Sequence, residues 1–169
     1  MKRYLAVLLL ATPALAAGWS NYVNERFGAA IDIPPGFESD MPGPENGDGL
    51  TFRNTDDRAE LRVWGGNLPY SFKEDAAETA TAERESGFAV SYEKAHNLSL
   101  EAAGKGWYVL SGEGSGRIFY MKAVASCRGE QAVYFRIEYP AGLKREFDPV
   151  VTRLSVSLHA APALECPDG

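Results

Sequence analysis

Trp107-Tyr108-Val109-Leu110-Ser111, Arg117-Ile118-Phe119-Tyr120-Met121-Lys122-Ala123-Val124-Ala125 and Gln131-Ala132-Val133-Tyr134-Phe135-Arg136-Ile137-Glu138-Tyr139 are dense in aromatic and β-branched residues. They are parted by Gly112-Glu113-Gly114-Ser115-Gly116 and by Ser126-Cys127-Arg128-Gly129-Glu130. Runs of this composition bounded by turn residues read as strands, and connections this short join antiparallel neighbours. The three form a meander. Pairing them across those turns puts Trp107, Val109, Phe119, Met121, Val133, Phe135 and Ile137 on one face, an almost wholly apolar set that needs cover. The other face takes Tyr108, Leu110, Ile118, Tyr120, Lys122, Tyr134, Arg136 and Glu138, and is amphipathic.

Cover comes from the next segment. Leu143, Phe147, Val150, Val151, Leu154 and Leu158 recur at helical spacing and make one apolar stripe. Proline is costly inside a helix, so the continuous helix is expected to start near Asp148 as cap, with Pro149 at its first position. Upstream, Ser71 with Glu74 is a capping-box signature, and the Ala-rich stretch to Ser86, stopped by Gly87, reads as a second helix with the stripe Phe72, Ala76, Ala80. Gly49 to Asn54 and Ala59 to Gly65 read as a hairpin around Asp56-Asp57, with Phe52 facing Leu61, Leu50 facing Val63 and Arg53 opposite Glu60. Gly65-Gly66-Asn67-Leu68-Pro69 reads as a breaker run. Arg26 to Ile33 alternates as a half-buried strand, Phe37 to Asp48 is a loop by composition, and Phe88 to Lys94 is a strand with Phe88, Val90 and Tyr92 on one face. A further extended piece is placed at Leu98 to Ala102. The sum is an α+β domain, an antiparallel sheet of about six to seven strands with helices packed on it as an α/β/α sandwich.

The whole chain has 169 residues, 45% of them hydrophobic, enough for one domain with an ordinary core. Its 17 basic against 23 acidic residues, a formal charge of -6, offer no footprint for nucleic acid. Two His and two Cys are too few for a zinc site built from those ligands. The loop acids Asp40, Glu45, Asp48, Asp56 and Asp57 do not follow the alternate-oxygen spacing of a calcium loop. Neither cofactor nor metal is expected.

Lys2 and Arg3 precede an apolar run from Tyr4 to Ala17, and Ala14-Leu15-Ala16 presents the small residues that signal peptidase requires. A bilayer span needs about 20 residues, more than this run supplies, so residues 1–16 read as a signal peptide cleaved after Ala16. The mature chain, residues 17–169, is expected to be a single exported domain with a C-terminal tail from 160, periplasmic or secreted and without a membrane span. Both cysteines, Cys127 and Cys166, would meet an oxidising compartment, where a pair in one small domain is most simply a disulfide. Such a bridge would staple the tail to one end of the sheet, contributing about 3 to 4 kcal/mol at this loop length.

Tyr22-Val23-Asn24-Glu25-Arg26-Phe27-Gly28, Ile31-Asp32-Ile33-Pro34-Pro35-Gly36-Phe37 and Glu45-Asn46-Gly47-Asp48-Gly49-Leu50-Thr51-Phe52 resemble the opening of small exported alphaproteobacterial proteins. The order of strand, hairpin, helix, meander and closing helix is similar to the PsbP/Mog1-like fold. That resemblance covers most of residues 20–158. It implies an antiparallel sheet between helices, used mainly as a non-catalytic binding or assembly-support module. It carries over no catalytic residue.

The side chains by themselves offer little chemistry. Gly112 to Gly116 lacks the glycine spacing of a nucleophile elbow around Ser115 and lacks the Gly-Lys-Ser/Thr of a phosphate loop, so it reads as a hairpin turn. His96 and His159 are the only imidazoles available to a triad, and surface roles suit them better. Two constellations stand out as partner-binding candidates. One is Trp64 and Tyr70 flanking the glycine-rich run, with Trp19 and Tyr22 near them. The other is the mixed sheet face of Tyr108, Tyr120, Lys122, Tyr134 and Arg136. The expectation is a non-enzymatic binding or assembly-support module in the cell envelope, its partner a protein or small molecule. An envelope hydrolase built on acids or a histidine, and a carrier of a small apolar ligand, stand as alternatives.

Overall fold

The computed structural model describes residues 18–40, 42–56, 58–96, 98, 106–163 and 166. The expected signal peptide, Asp57, and the extended piece at Leu98 to Ala102 apart from Leu98 itself lie outside the described residues. Among the described residues, ten strands and two α-helices run in the order β1 (Ser20–Val23), β2 (Ala29–Ile33), β3 (Phe37–Ser39), β4 (Gly49–Asn54), β5 (Glu60–Asn67), α1 (Phe72–Glu85), β6 (Ala89–His96), β7 (Trp107–Gly114), β8 (Arg117–Ser126), β9 (Gln131–Pro140), α2 (Lys144–Ser157) and β10 (His159–Ala160). Strands β3-β4-β5-β9-β8-β7-β6 form an antiparallel seven-stranded sheet, and β1-β2-β10 a small three-stranded one. This is the expected α+β architecture with helices on both faces.

The β4–β5 hairpin pairs Leu50 with Val63, Phe52 with Leu61 and Arg53 with Glu60, as the alternation predicts. The meander is present too, but its faces differ from expectation. Its first turn is only Ser115-Gly116, both at positive φ (51° and 74°), which is the backbone of a two-residue hairpin loop. Gly114 therefore lies opposite Arg117, and Ser126 opposite Gln131 at the other end of β8. Relative to the five-residue turns read from composition, the first loop shifts the register by three residues and the second by one, and an odd shift turns every side chain of the strand over. Phe119 and Met121 consequently join Tyr108, Leu110, Tyr134 and Arg136, while Ile118, Tyr120 and Lys122 join Val133, Phe135 and Ile137.

Two cores result, one on each face. The first packs Phe135, Ile137, Leu61 and Val63 of the large sheet against Ile31 and Ile33 of β2 and Phe147 and Leu154 of α2. The second packs Tyr108, Phe119, Met121 and Tyr134 beneath Phe72 and Ala80 of α1. Helix α1 carries the full capping box of Ser71 and Glu74 and ends at Ser86, with Gly87 at φ 94°.

Several elements depart from the pattern-based reading. Helix α2 starts at Lys144 and keeps Pro149 in its interior. Arg145 and Pro149 are both exposed, so the one carbonyl deprived of a donor meets water, and the buried Phe147 and Leu154 hold the turn in place. Gly65-Gly66-Asn67 continue β5, pairing with Val133, Ala132 and Gln131, in place of a break. A Cβ at Gly65 would lie 2.3 Å from that of Phe27, so this glycine serves close packing. Arg26 and Phe27 form a turn ahead of β2, whose strand begins at Ala29. In β6 the register shifts between Val90 and Tyr92, which interrupts the alternation there.

The tail is tied down twice. His159–Ala160 pairs with β2 and the Ala161 amide donates to the Gly28 carbonyl at 2.8 Å. Beyond it, Cys166 is disulfide-bonded to Cys127, with Cα atoms 5.5 Å apart at a sequence separation of 39. The expected staple is present.

This packing sets two stability outcomes. Gly49 faces Trp64 so closely that a Cβ would lie 2.1 Å from the Val63 carbonyl oxygen, whereas Gly66 has no atom within 4 Å of that position. Gly49→Ala should cost about 1 to 3 kcal/mol in urea unfolding, and Gly66→Ala about 0.5 kcal/mol or less. Replacing both cysteines by serine should lower stability by about 2 to 4 kcal/mol, with a thiol reductant reproducing the shift in the parent and none in the variant.

Candidate functional site

Helix α1 sits toward the β6–β7–β8 end of its sheet face. Arg53 on β4 and Arg62 on β5, at the other end of the same face, stay exposed. Between helix and sheet runs an open groove of about 700 Å³, walled by Asp75, Thr79 and Glu83 of α1 and floored by Trp64, Tyr134 and Arg136.

The helix is pinned by polar contacts as well as by Phe72. Both Tyr108 and Tyr134 donate their hydroxyls to Asp75 Oδ2, at 2.8 and 3.1 Å, and the Thr79 and Tyr108 hydroxyls lie 3.2 Å apart. Burial raises the Asp75 pKa above the ordinary carboxylate value, opposed by the two tyrosine hydrogen bonds. Burial likewise pushes the phenols of Tyr108 and Tyr134 up, with the Asp75 charge adding to it. On the outer side Trp64 lies flat on Tyr134, ring centroids 5.0 Å apart and planes 9° from parallel.

About two helical turns beyond Asp75, Arg136 forms a fork-to-fork pair with Glu83, Nε to Oε1 at 2.6 Å and Nη2 to Oε2 at 3.0 Å. Its Nη1 donates to Glu138 Oε2 at 2.8 Å, and the guanidinium lies 5.4 and 5.3 Å from the rings of Phe88 and Phe119. Burial alone would lower the Arg136 pKa, but the hydrogen bonds it donates to Glu83 and Glu138 more than reverse it. Burial raises and the two arginines Arg136 and Arg117 lower the Glu138 pKa, and the arginines prevail. Arg117 also donates to the Arg58 carbonyl at 3.1 Å, tying the network to the β4–β5 turn.

Of the residues singled out from sequence, the groove brings together Trp64, Tyr134 and Arg136, with Tyr108 buried beneath them. Tyr70, 37% exposed ahead of α1, has its pKa pushed up to about 12 by a hydrogen bond with Glu78. The expected single face of Tyr108, Tyr120, Lys122, Tyr134 and Arg136 does not exist, because the register of β8 sends Tyr120 and Lys122 to the α2 side. There the Tyr120 hydroxyl is 3.0 Å from Ser155 Oγ, and Lys122 Nζ donates to the Ser155 carbonyl at 2.5 Å, capping the last turn of α2. Burial lowers the Lys122 pKa. Trp19 and Tyr22 lie away from Trp64, on the first core, Trp19 beneath Arg153 and Tyr22 edge-on to Phe52. His96 stacks on Trp107 and His159 contacts the Ser157 carbonyl, so neither lines the groove.

Asp75, Glu83, Arg62 and Arg117 are site residues that sequence reasoning passed over. A signal for the first two existed. The stripe Phe72, Ala76, Ala80 continues at helical spacing to Glu83, which places a carboxylate on the buried side of α1, and Asp75 and Thr79 flank the same line.

No protein-family model and no curated protein sequence matches the chain. Solved structures do. The solution structure of cyanobacterial PsbP (CyanoP) from Synechocystis superposes with a TM-score of 0.63 at 14% identity, covering 91% of this chain and 99% of that one. The crystal structure of the Saccharomyces cerevisiae Ran-binding protein Mog1p gives 0.57 at 11% identity, covering 86% and 96%. The fold is PsbP/Mog1-like.

The raised pKa of Asp75 has a testable sign. A carboxyl that holds its proton more tightly in the folded chain favours folding at low pH. That contribution is lost as pH rises from the ordinary 3.8 through the higher native value. Asp75→Asn keeps an oxygen for the tyrosine hydroxyls without the buried charge. The unfolding free energy of the variant minus that of the parent should therefore climb across this window and level off above it. Urea titrations at a series of pH values measure it, and a flat difference would show that Asp75 titrates as an ordinary surface carboxyl.

Proposed function

We propose that the chain is an exported, non-enzymatic module that binds a partner of the cell envelope in the groove between α1 and the sheet. The observation that carries this reading is how the ionisable groups of the groove are spent. Asp75 is held by two tyrosine hydroxyls and Arg136 by two glutamates, so they act as rigid walls rather than as groups poised to move a proton to or from a substrate. A stacked Trp64–Tyr134 pair on the floor is the sort of pre-ordered aromatic surface that binds at small entropic cost. Protein binding is also the role named for Mog1p, which shares the fold.

Export rests on Lys2, Arg3 and the apolar run to Ala17, and the Cys127–Cys166 bridge suits an oxidising compartment. Among the described residues no helix is long and apolar enough to cross a membrane. The hydrolase alternative would recruit Asp75, a carboxyl of the groove whose pKa burial raises. The carrier alternative would need enclosure, and the groove is open with a mixed polar and apolar lining.

The full chain expressed with its N-terminus intact should appear in the periplasm, beginning at Ala17 by mass spectrometry and with its disulfide formed. A photo-crosslinking residue at Ala82, an exposed position of α1 on the groove, should capture a discrete envelope protein. One at Val156, 81% exposed on α2, should not. Capture only from Val156, or turnover of a hydrolase substrate that Asp75→Asn abolishes, would overturn the reading.

A further inference from the structure

Arg62 differs from the arginines around it. Arg136 spends both terminal nitrogens on carboxylates, Arg53 places Nη2 2.7 Å from Glu60, Arg58 pairs through Nη2 with Asp56, and Arg117 donates from Nη2 to a carbonyl. The Arg62 guanidinium is held only through Nε, by Glu60 Oε1 at 2.5 Å. Its two terminal nitrogens, with four N–H donors, have no partner among the described residues. The side chain is 56% exposed, so these donors face solvent.

Its position is as telling as its free donors. Arg62 lines three depressions at once: the groove, a shallow and mainly apolar hollow of about 280 Å³ beside Thr51 and Trp64, and a pocket of about 250 Å³ among Arg53, Arg58 and Arg117. In the sheet register Arg62 lies directly opposite Arg136. Like charges so placed repel. Glu83 and Glu138 compensate Arg136, while Arg62 has only one contact to Glu60. An added carboxylate at the Arg62 fork would complete its coordination and relieve that repulsion.

Two residues along the same face, Trp64 stands as a fixed wall, stacked on Tyr134, whose hydroxyl is anchored on Asp75. From this juxtaposition we infer that the partner segment bound in the groove is an acidic peptide. Its carboxylate engages the free fork of Arg62, and a neighbouring apolar side chain lies against Trp64 in the hollow beside Thr51. The inference rests on the groove being a binding site, as proposed for its function. A planar fork matches a carboxylate with two parallel hydrogen bonds. The net charge of -6 on the whole chain disfavours polyanions, so the occupant is a single carboxylate in an apolar setting rather than a nucleic acid. Three depressions that share Arg62 as a lining residue suit an extended chain.

The test is a titration of the purified, processed, nitrogen-15-labelled protein with acetyl-Gly-Leu-Glu-Gly-amide, followed by NMR. With only three tryptophans, the Trp64 indole N–H resonance is readily assigned. It should move with added peptide, together with the Nε–H of Arg62. Replacing Glu by Gln in the peptide should weaken binding by about tenfold, as should Arg62→Met in the protein, with Arg62→Lys falling between. Arg62 is exposed, so both variants should keep the remaining spectrum, which verifies folding in the same experiment. A Trp64 resonance unmoved by the peptide, equal binding of the Glu and Gln forms, or unchanged binding to Arg62→Met would each overturn the inference. If Ala82 crosslinks a partner while the peptide fails, the groove remains a binding site and only its acidic specificity is wrong. If both fail, the binding reading falls with it.

Discussion

With Ser115 and Gly116 both left-handed, the chain reverses in two residues and Gly114 is forced opposite Arg117. Everything on β8 inherits its side of the sheet from that constraint. Gly112 shows how firmly the register is built in: it lies opposite Phe119, and a Cβ there would come within 2.9 Å of the Phe119 ring and 2.3 Å of the Ala89 carbonyl oxygen. Because Phe119 is turned to the α1 side, Arg136 has a ring on which to lie, with Phe88 as the second. Because Lys122 is turned to the α2 side, the last turn of α2 has a cation for the Ser155 carbonyl. A one-residue slip would bury Lys122 beneath α1 and strip Arg136 of its aromatic bed.

Placed by that register, Arg136 and Tyr134 hold α1 at a set distance from the sheet. A buried ion pair is weak evidence for stability, since desolvation can cancel its Coulombic gain. Its clearer consequence here is geometric. Glu83 on the fourth turn of α1 and Asp75 on the first each bond to β9, one to Arg136 and the other to Tyr134, so the helix is fixed at both ends along one strand. The stacked Trp64 extends that fixed surface outward onto β5.

How far this was legible in sequence depends on the length scale of the signal. The β4–β5 hairpin, the capping box of α1 and the stripe of α2 are local patterns, and each is present as read. The disulfide was legible too, from compartment and cysteine count rather than from geometry. The faces of the meander were not, because glycine-rich composition marks where a turn lies but not whether it closes in two residues or five. That parity error scattered the candidate surface, putting Tyr120 and Lys122 with Tyr134 and Arg136 when they lie on opposite sides. The glycines of β5 misled for a related reason: Gly65 is demanded by Phe27, a contact across 38 positions of sequence that no local pattern encodes.

The two faces of the large sheet are covered unequally, and the groove arises from that inequality. On one face α2 and the whole β1-β2-β10 sheet close over Leu61, Val63, Phe135 and Ile137, leaving them inaccessible. On the other, among the described residues, a single helix of 14 residues lies over seven strands. A helix about 10 Å across spans roughly two strands at a spacing near 4.8 Å. It sits toward the β6–β7–β8 end and leaves β4 and β5 to water. The residues there are suited to that exposure: Arg53, Arg62 and Glu60 solvate and pair, while Trp64 supplies apolar area beside them. A sheet face left open by a short helix, and furnished with arginine forks beside a fixed indole, retains unspent hydrogen-bonding capacity at the point where a second chain can lie along it.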